Sequence, residues 1–195
     1  EYRLLLRQDN ADRRLTPIGY RLGLVPEERM QAVAEKYAAV EAEIYRLEHT
    51  GIPGSRELNR LLTERGSAAV TDGARLIDLL RRPQMTYDEL MTFDPHAPAL
   101  PKAVREQVEI SVKYEGYIRR QLSQVEEFEK LEQHALPVDV DYASIQGLRL
   151  EAREKLNAVR PLNLGQASRI SGVSPADMGA LMIYLEKRGS KNERN

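Results

Sequence analysis

Residues 164–177, LGQASRISGVSPAD, determine how the C-terminal part of the chain folds. The order of residue types predicts a helix, a tight turn and a second helix. Gly172 suits the left-handed conformation that closes a helix, and Ser174 followed by Pro175 suits the start of the next one. Asp177 stands where the acidic partner of a capping box belongs. The stretch predicts a helix-turn-helix-like module, a geometry that serves either to pack helices together or to bind nucleic acid.

Helical periodicity dominates the rest of the chain. Apolar residues at three- and four-residue steps over residues 30–47 predict a long helix whose heptad-like seam packs within the molecule, with dimerisation as the less favoured alternative. Thr16-Pro17 indicates the start of a short helix, and residues 86–89, TYDE, form a capping box. A second long helix is predicted from about residue 102 to residue 134. Residues 136–142 are the segment most typical of a short strand.

These elements predict an all-α fold, a helical bundle in two subdomains with the helix-turn-helix-like module at the C-terminus. We expect an N-terminal segment over residues 1–25 and a helical subdomain over residues 26–134. A small C-terminal helical subdomain is expected over residues 135–195, with a disordered polar tail from Gly189 to Asn195. Because the chain begins with Glu1, we interpret it as part of a longer protein.

Composition argues against several classes of site. The chain has no cysteine, which excludes disulfides and thiolate metal sites. The three histidines lack metal-ligand spacing, so we predict no metal site. No glycine-rich phosphate loop follows a predicted strand, so we predict no catalytic or cofactor-binding residue. No apolar stretch is long enough to cross a bilayer.

The formal net charge is −1, so no basic field covers the whole chain, but the charges are unevenly placed. Residues 123–142 carry six acids and one base, whereas residues 143–195 carry nine bases and five acids. Such runs are either local binding patches or solvated helix faces. Four arginines surround an Asp-Asn turn near the N-terminus: Arg3, Arg7, Arg13 and Arg14. Arginine binds phosphate through two parallel hydrogen bonds, but these side chains could equally form salt bridges to Asp9 and Asp12.

Two further clusters are candidates for binding. Lys113, Tyr117 and Arg120 fall at four- and three-residue steps on one face of the second long helix. Such a strip suits a phosphate and a stacked base, although tyrosines with basic neighbours also serve to pack helices together. Four arginines accompany the C-terminal module and could contact an RNA backbone or an acidic partner: Arg149, Arg153, Arg160 and Arg169.

Four blocks of the sequence resemble the MnmG (GidA) family of tRNA-modifying flavoproteins. Residues 1–16, EYRLLLRQDNADRRLT, resemble the family's RLLLRxDNADxRLT block. Residues 113–121, KYEGYIRRQ, resemble its KYxGYIxRQ block. Residues 141–148 resemble the segment that leads into the terminal module, which itself resembles the family's C-terminal end. The blocks stand in the family's order, whereas residues 50–100 match no block.

The resemblance implies a function that composition and periodicity do not. Such proteins use FAD, NADH and methylene-tetrahydrofolate, with the GTPase MnmE as partner, to install a 5-carboxymethylaminomethyl group on the wobble uridine of tRNA. The chain resembles only their C-terminal helical region, whose implied role is docking of tRNA and of the GTPase. The first block adjoins the flavin domain in such proteins. The resemblance further implies a cytoplasmic, homodimeric full-length protein, with no catalysis by this region alone.

Two alternatives to tRNA docking stay open from the sequence. The chain could be a pure protein-interaction module that docks the GTPase or mediates dimerisation without touching tRNA. A DNA-binding helix-turn-helix protein is the weaker alternative. The near-neutral net charge argues against it, as does the absence of basic residues in the second helix before Lys187.

Overall fold

A computed structural model describes the backbone of residues 2–192 and the side chains of residues 2–188. The helices in this part of the chain are α1 (Ala11–Arg21), α2 (Glu27–His49), α3 (Arg56–Glu64), α4 (Leu76–Leu80), α5 (Tyr87–Met91), α6 (Lys102–Gln133), α7 (Leu150–Val159), α8 (Leu164–Ser168) and α9 (Pro175–Asn192). Two strands, β1 (Gly51–Ile52) and β2 (Ala74–Arg75), pair antiparallel. The predicted all-α fold is confirmed.

The chain forms two compact units, which divide between Gln121 and Leu122, inside α6. The N-terminal segment belongs to unit 1, with α1 to α5 and the first part of α6. The predicted boundary after residue 134 lies at the end of this helix. The structure divides it earlier because buried valines of its first half, such as Val108, join the core of unit 1, whereas Leu131 packs in unit 2.

The core of unit 1 is built around the seam of α2. Four residues of this seam are buried: Val33, Tyr37, Val40 and Leu47. The helix contacts α1 and α4, so the seam packs within the unit, as the sequence predicted. The capping box predicted at residues 86–89 is also present, with Thr86 and Glu89 bonding to each other at the start of α5.

The first helix departs from the expectation that it begins at Thr16-Pro17. It begins at Ala11 and carries Pro17 inside it. A proline lacks the N–H that a helix interior requires, which is why the sequence favoured a helix start there. Contacts made by the first turn outweigh that penalty, since Asp12 is bonded to side chains of α2.

In unit 2, α8 and α9 form the predicted helix-turn-helix-like pair. Gly172 has a φ of +99°, in the left-handed region that glycine adopts readily. The Ser174 amide donates to Asp177 Oδ2 at 2.8 Å, and the Asp177 amide donates to Ser174 Oγ at 3.3 Å. This is the predicted capping box, and α9 begins at Pro175 within it.

Two other expectations differ from the structure. Residues 136–142 form no strand, and the only bridge nearby joins Ala135 to Asn163. The tail expected to be disordered from Gly189 is helical as far as Asn192, and residues 193–195 lie outside the described residues. Within the described chain, no helix has the length and apolar character needed to cross a membrane.

Candidate nucleic-acid interface

The N-terminal segment is held against α2 and α6 by polar contacts. The Tyr37 hydroxyl donates to Asp12 Oδ1 at 2.6 Å, and Lys36 Nζ donates to Asp12 Oδ2 at 2.8 Å. On the α6 side, the Leu4 amide donates to Gln121 Oε1 at 3.0 Å. These contacts place the first arginine cluster beside the middle of α6, which the sequence alone did not predict.

Arg7 joins this segment to the aromatic side chains of α6. Its Nε and Nη2 atoms donate to the two carboxylate oxygens of Asp9, at 2.8 and 2.9 Å. The hydrogen bond from Arg7 lowers the pKa of Asp9 below its ordinary value, so Asp9 stays charged in the folded protein. The guanidinium carbon also lies 5.7 Å from the centre of the Tyr114 ring, within the range of a cation–π contact.

Tyr114, Tyr117 and Arg120 continue this row along α6. The two rings are 6.3 Å apart at 54°, and the Arg120 guanidinium carbon lies 5.6 Å from the Tyr117 ring centre. Tyr114 is 43% exposed and Tyr117 is 58% exposed. We call Arg7, Tyr114, Tyr117 and Arg120 the tyrosine–arginine surface. Exposed rings stack on unpaired bases, and guanidinium groups beside them bind phosphate.

Most of the other predicted residues of unit 1 are bonded to groups of the same unit. Lys113 Nζ donates to Glu109 Oε1 at 2.7 Å and is half-buried. Arg13 donates to a glutamate of α2 at 2.8 Å and lies over the ring of Tyr37. Arg14 Nε donates to an asparagine oxygen at 2.9 Å, whereas Arg3 is exposed. Of the predicted residues that α6 carries, Tyr117 and Arg120 are therefore the better placed to meet a ligand.

All four arginines predicted in unit 2 bind groups of their own unit. Arg149 donates to Asp177 Oδ2 from Nη2 and Nε, at 2.6 and 3.0 Å. Arg153 and Arg160 donate to backbone carbonyls at 3.0 and 2.8 Å, and Arg169 donates to a glutamate at 2.7 Å. These bonds favour a structural role. The Asp177 carboxylate also caps the start of α9, the kind of helix end at which phosphates bind in other proteins.

Sequence reasoning missed Tyr114 as a site residue. The structure brings it into the site because Arg7 stacks on its ring. The available signal was its position three residues before Tyr117, since side chains at that spacing are neighbours on a helix. The described residues contain no group of three or more histidines or carboxylates arranged to hold a metal ion.

Family models match the chain in two consecutive parts. The model of the tRNA modifying enzyme MnmG/GidA C-terminal helical domain matches residues 27–122. The model of the C-terminal helical bundle of the same enzyme matches residues 124–195. Their junction falls beside the division of the two units at residues 121 and 122.

Individual relatives agree with the family models. The tRNA uridine 5-carboxymethylaminomethyl modification enzyme MnmG of Caldicellulosiruptor saccharolyticus is 53% identical over 193 residues, covering 98% of this chain and 31% of the relative. The Geobacillus thermodenitrificans enzyme of the same name is 51% identical over 187 residues, covering 96% of the chain and 30% of the relative. The chain thus spans less than a third of the length of these curated relatives.

A solved structure also matches. Aquifex aeolicus GidA, in its form II crystal, is 37% identical with a TM-score of 0.59, covering 92% of this chain and 27% of that one. Helical architecture, sequence identity and both family models therefore point to the same region of the same enzyme. The chain belongs to the MnmG/GidA family of tRNA-modifying enzymes, and it comprises the C-terminal helical region of that family.

Proposed function

We propose that this chain is the tRNA-binding region of an enzyme that modifies the wobble uridine by adding a 5-carboxymethylaminomethyl group. The observation that carries the proposal is the tyrosine–arginine surface, where two exposed rings lie beside the exposed Arg120, and where Arg7, paired with Asp9, supports the Tyr114 ring. The wobble base lies in a single-stranded loop, and loops expose bases that aromatic side chains stack on.

Local charge, and not net charge, supports this role. The net charge of −1 gives no long-range attraction to RNA. The tyrosine–arginine surface nevertheless offers a local cation, because Arg120 is exposed beside the Tyr117 ring while Asp9 is paired with Arg7. Phosphate contacts made by such a surface displace counterions, so binding should weaken as salt increases.

The remaining properties implied by the family resemblance are proposed for the whole protein. These are the GTPase partner MnmE, the homodimer, the cytoplasmic location, and the use of FAD, NADH and methylene-tetrahydrofolate. The residues described here do not fit a dinucleotide: each strand has two residues, and no glycine-rich loop leads from a strand into a helix. We therefore assign binding to this chain and derive no chemical step through those groups.

One observation favours protein docking as a second function. Several apolar side chains on and beside α1 are exposed: Leu15, Ile18, Leu22 and Leu24. Clustered apolar exposure is typical of protein contact surfaces and is poorly suited to phosphate. A pure protein-interaction module, docking the GTPase or a second copy, would bind its partner through such a face without affinity for tRNA.

Replacing Tyr117 and Arg120 together with alanine should weaken tRNA binding by about 10- to 100-fold, since stacking on one aromatic side chain contributes roughly 1–3 kcal/mol per base. Both side chains are exposed, so the fold should be retained. The measurement is a binding titration with a tRNA transcript that carries a wobble uridine, with circular dichroism to check helicity.

The matched control is the pair Tyr45→Ala and Arg60→Ala. Both residues are exposed, and they lie on α2 and α3, which carry no residue of the tyrosine–arginine surface. The control should bind tRNA as the unmodified chain does. If the control, the test variant and the unmodified chain bind tRNA with equal affinity, the tyrosine–arginine surface is not the binding site.

A further inference from the structure

Gly116 lies inside α6, and the packing of unit 1 does not require a glycine there. A Cβ atom built on Gly116 meets no heavy atom within 4 Å among the described residues outside its own stretch of helix. Its φ is not positive, so the backbone conformation does not require glycine either. Glycine is less favourable than alanine in a helix interior. The folded unit therefore gives no reason for the missing side chain.

Gly116 lines a surface cleft of about 330 Å³ between the end of α4 and α6. Three basic side chains also line it, from Arg81, Lys113 and Arg119, and Glu115 is the one acid among its lining residues. Glu115 is shared by two of these cations, since it accepts from Arg81 at 3.1 Å and from Arg119 at 2.7 Å. Lys113 is paired with Glu109 and Arg81 also with Asp78, so acids balance the cations of the cleft. The side chains of Arg81 and Arg119 are nevertheless 43% and 77% exposed beside a point where the helix backbone is uncovered, so both can exchange an acid for a ligand.

The cleft and the tyrosine–arginine surface are lined by neighbouring residues of α6. Gly116 and Arg120 are four residues apart on α6, as are Lys113 and Tyr117, so the two rows of side chains are neighbours. A strand whose base stacks on Tyr117 would bring its adjoining phosphate to the cleft. Glycine is the residue that lets a ligand come close to the backbone.

We propose that this glycine cleft binds a phosphodiester of the tRNA backbone, next to the base that stacks on Tyr117, and that Gly116 allows the strand to approach the helix. The proposal rests on the proposed tRNA-binding function and assigns it a second contact. The neighbouring exposed rings of Tyr114 and Tyr117 favour a nucleic acid over an acidic peptide as the occupant.

The test is a pair of substitutions that add volume without breaking the helix, Gly116→Ala and Gly116→Leu. Because alanine is the better helix former, Gly116→Ala should raise the Tm by about 1–4 °C. The added methyl group should weaken binding of a wobble-uridine tRNA transcript by about 5- to 100-fold, and leucine should weaken it further. Greater thermal stability with weaker binding is the expected combination.

Gly179→Ala is the matched control, because Gly179 also lies in a helix with nothing within 4 Å of an added Cβ. It should leave tRNA affinity unchanged. If the unmodified chain binds tRNA and both Gly116 variants bind it equally well, the glycine cleft does not bind the tRNA backbone, while the proposed function stands. If the unmodified chain does not bind tRNA, both are wrong. A fall in Tm for Gly116→Ala would also overturn the inference, since the fold would then require the glycine.

Discussion

Replacing Arg46 with methionine is expected to destabilise unit 1 by about 3–5 kcal/mol, because two buried carboxylates would lose their cation. The Arg46 guanidinium donates to both carboxylate oxygens of Glu43 at 2.8 Å and to Asp94 at 2.5 Å. The side chains of Glu43 and Asp94 are only 3% and 2% exposed. The loss of free energy of unfolding can be measured by urea denaturation at neutral pH, monitored by circular dichroism.

The pH dependence of this loss follows from Asp94. Burial alone would raise the pKa of Asp94, but the hydrogen bonds from Arg46 and the His96 amide lower it below its ordinary value. A lowered pKa contributes stability above the pKa of the unfolded chain, about 3.9, and that stability is lost as the pH falls through the folded value. The difference in free energy of unfolding between the unmodified chain and Arg46→Met should therefore be largest near neutral pH. It should become smaller below about pH 4.

Arg60→Met provides the control for Arg46→Met. Arg60 pairs with Glu64 on the exposed surface of α3, where an ion pair contributes little to stability. Its replacement should leave the unfolding curve almost unchanged. Equal effects of the two substitutions would show that the buried pairs of Arg46 do not stabilise unit 1.

Replacing Asp177 with alanine should destabilise unit 2 by about 2–4 kcal/mol, through loss of a helix cap and of the hydrogen bonds that its buried carboxylate accepts. The Asp177 side chain is 1% exposed and accepts bonds from Arg149 and from the amide and hydroxyl of Ser174. Hydrogen exchange of the α9 amides measures the change within that unit. The amides of α4, in unit 1, should be unaffected.

We also expect unit 2 to lose stability at acidic pH because of Asp177. The hydrogen bonds from Arg149 lower the pKa of this carboxyl well below its usual range, so its contribution is complete above about pH 4 and is lost on acidification. Asp139→Ala is the control, because that carboxylate pairs with Arg188 at the surface. Unchanged protection of α9 in Asp177→Ala would show that the cap does not hold the helix.

Helix ends were predictable because their signals are local. Ser174 with Asp177, and Thr86 with Glu89, are three residues apart, so each pair meets wherever the helix begins. The seam of α2 was predictable for a similar reason, since its buried positions repeat along a single helix. Local rules of this kind establish an all-α fold without knowledge of distant partners.

The remaining features depend on contacts between distant parts of the chain. The pairing of β1 with β2 involves two residues on each strand, too few for an alternating pattern to show. The start of α1 at Ala11 depends on the bonds between Asp12 and α2. Neither feature could therefore be predicted from the sequence.

The candidate site was predicted only in part. Tyr117 and Arg120 follow from helical spacing, but the approach of Arg7 to Tyr114 does not. Spacing also could not reveal that Arg149 is bound by Asp177, because Arg149 precedes α7 whereas Asp177 lies in α9. Arginines that look alike in the sequence therefore differ as candidates for binding tRNA. Those already bonded within the chain are the weaker candidates.

A titration of this chain with a tRNA carrying a wobble uridine, at low and at moderate salt, tests tRNA recognition most directly. We expect saturable binding whose affinity falls linearly with salt on a double-logarithmic plot, with a slope of roughly −0.7 to −0.9 per phosphate contacted. Circular dichroism on the same sample shows whether the chain is folded. Absence of saturable binding by the folded chain would contradict tRNA recognition and leave protein docking as its role.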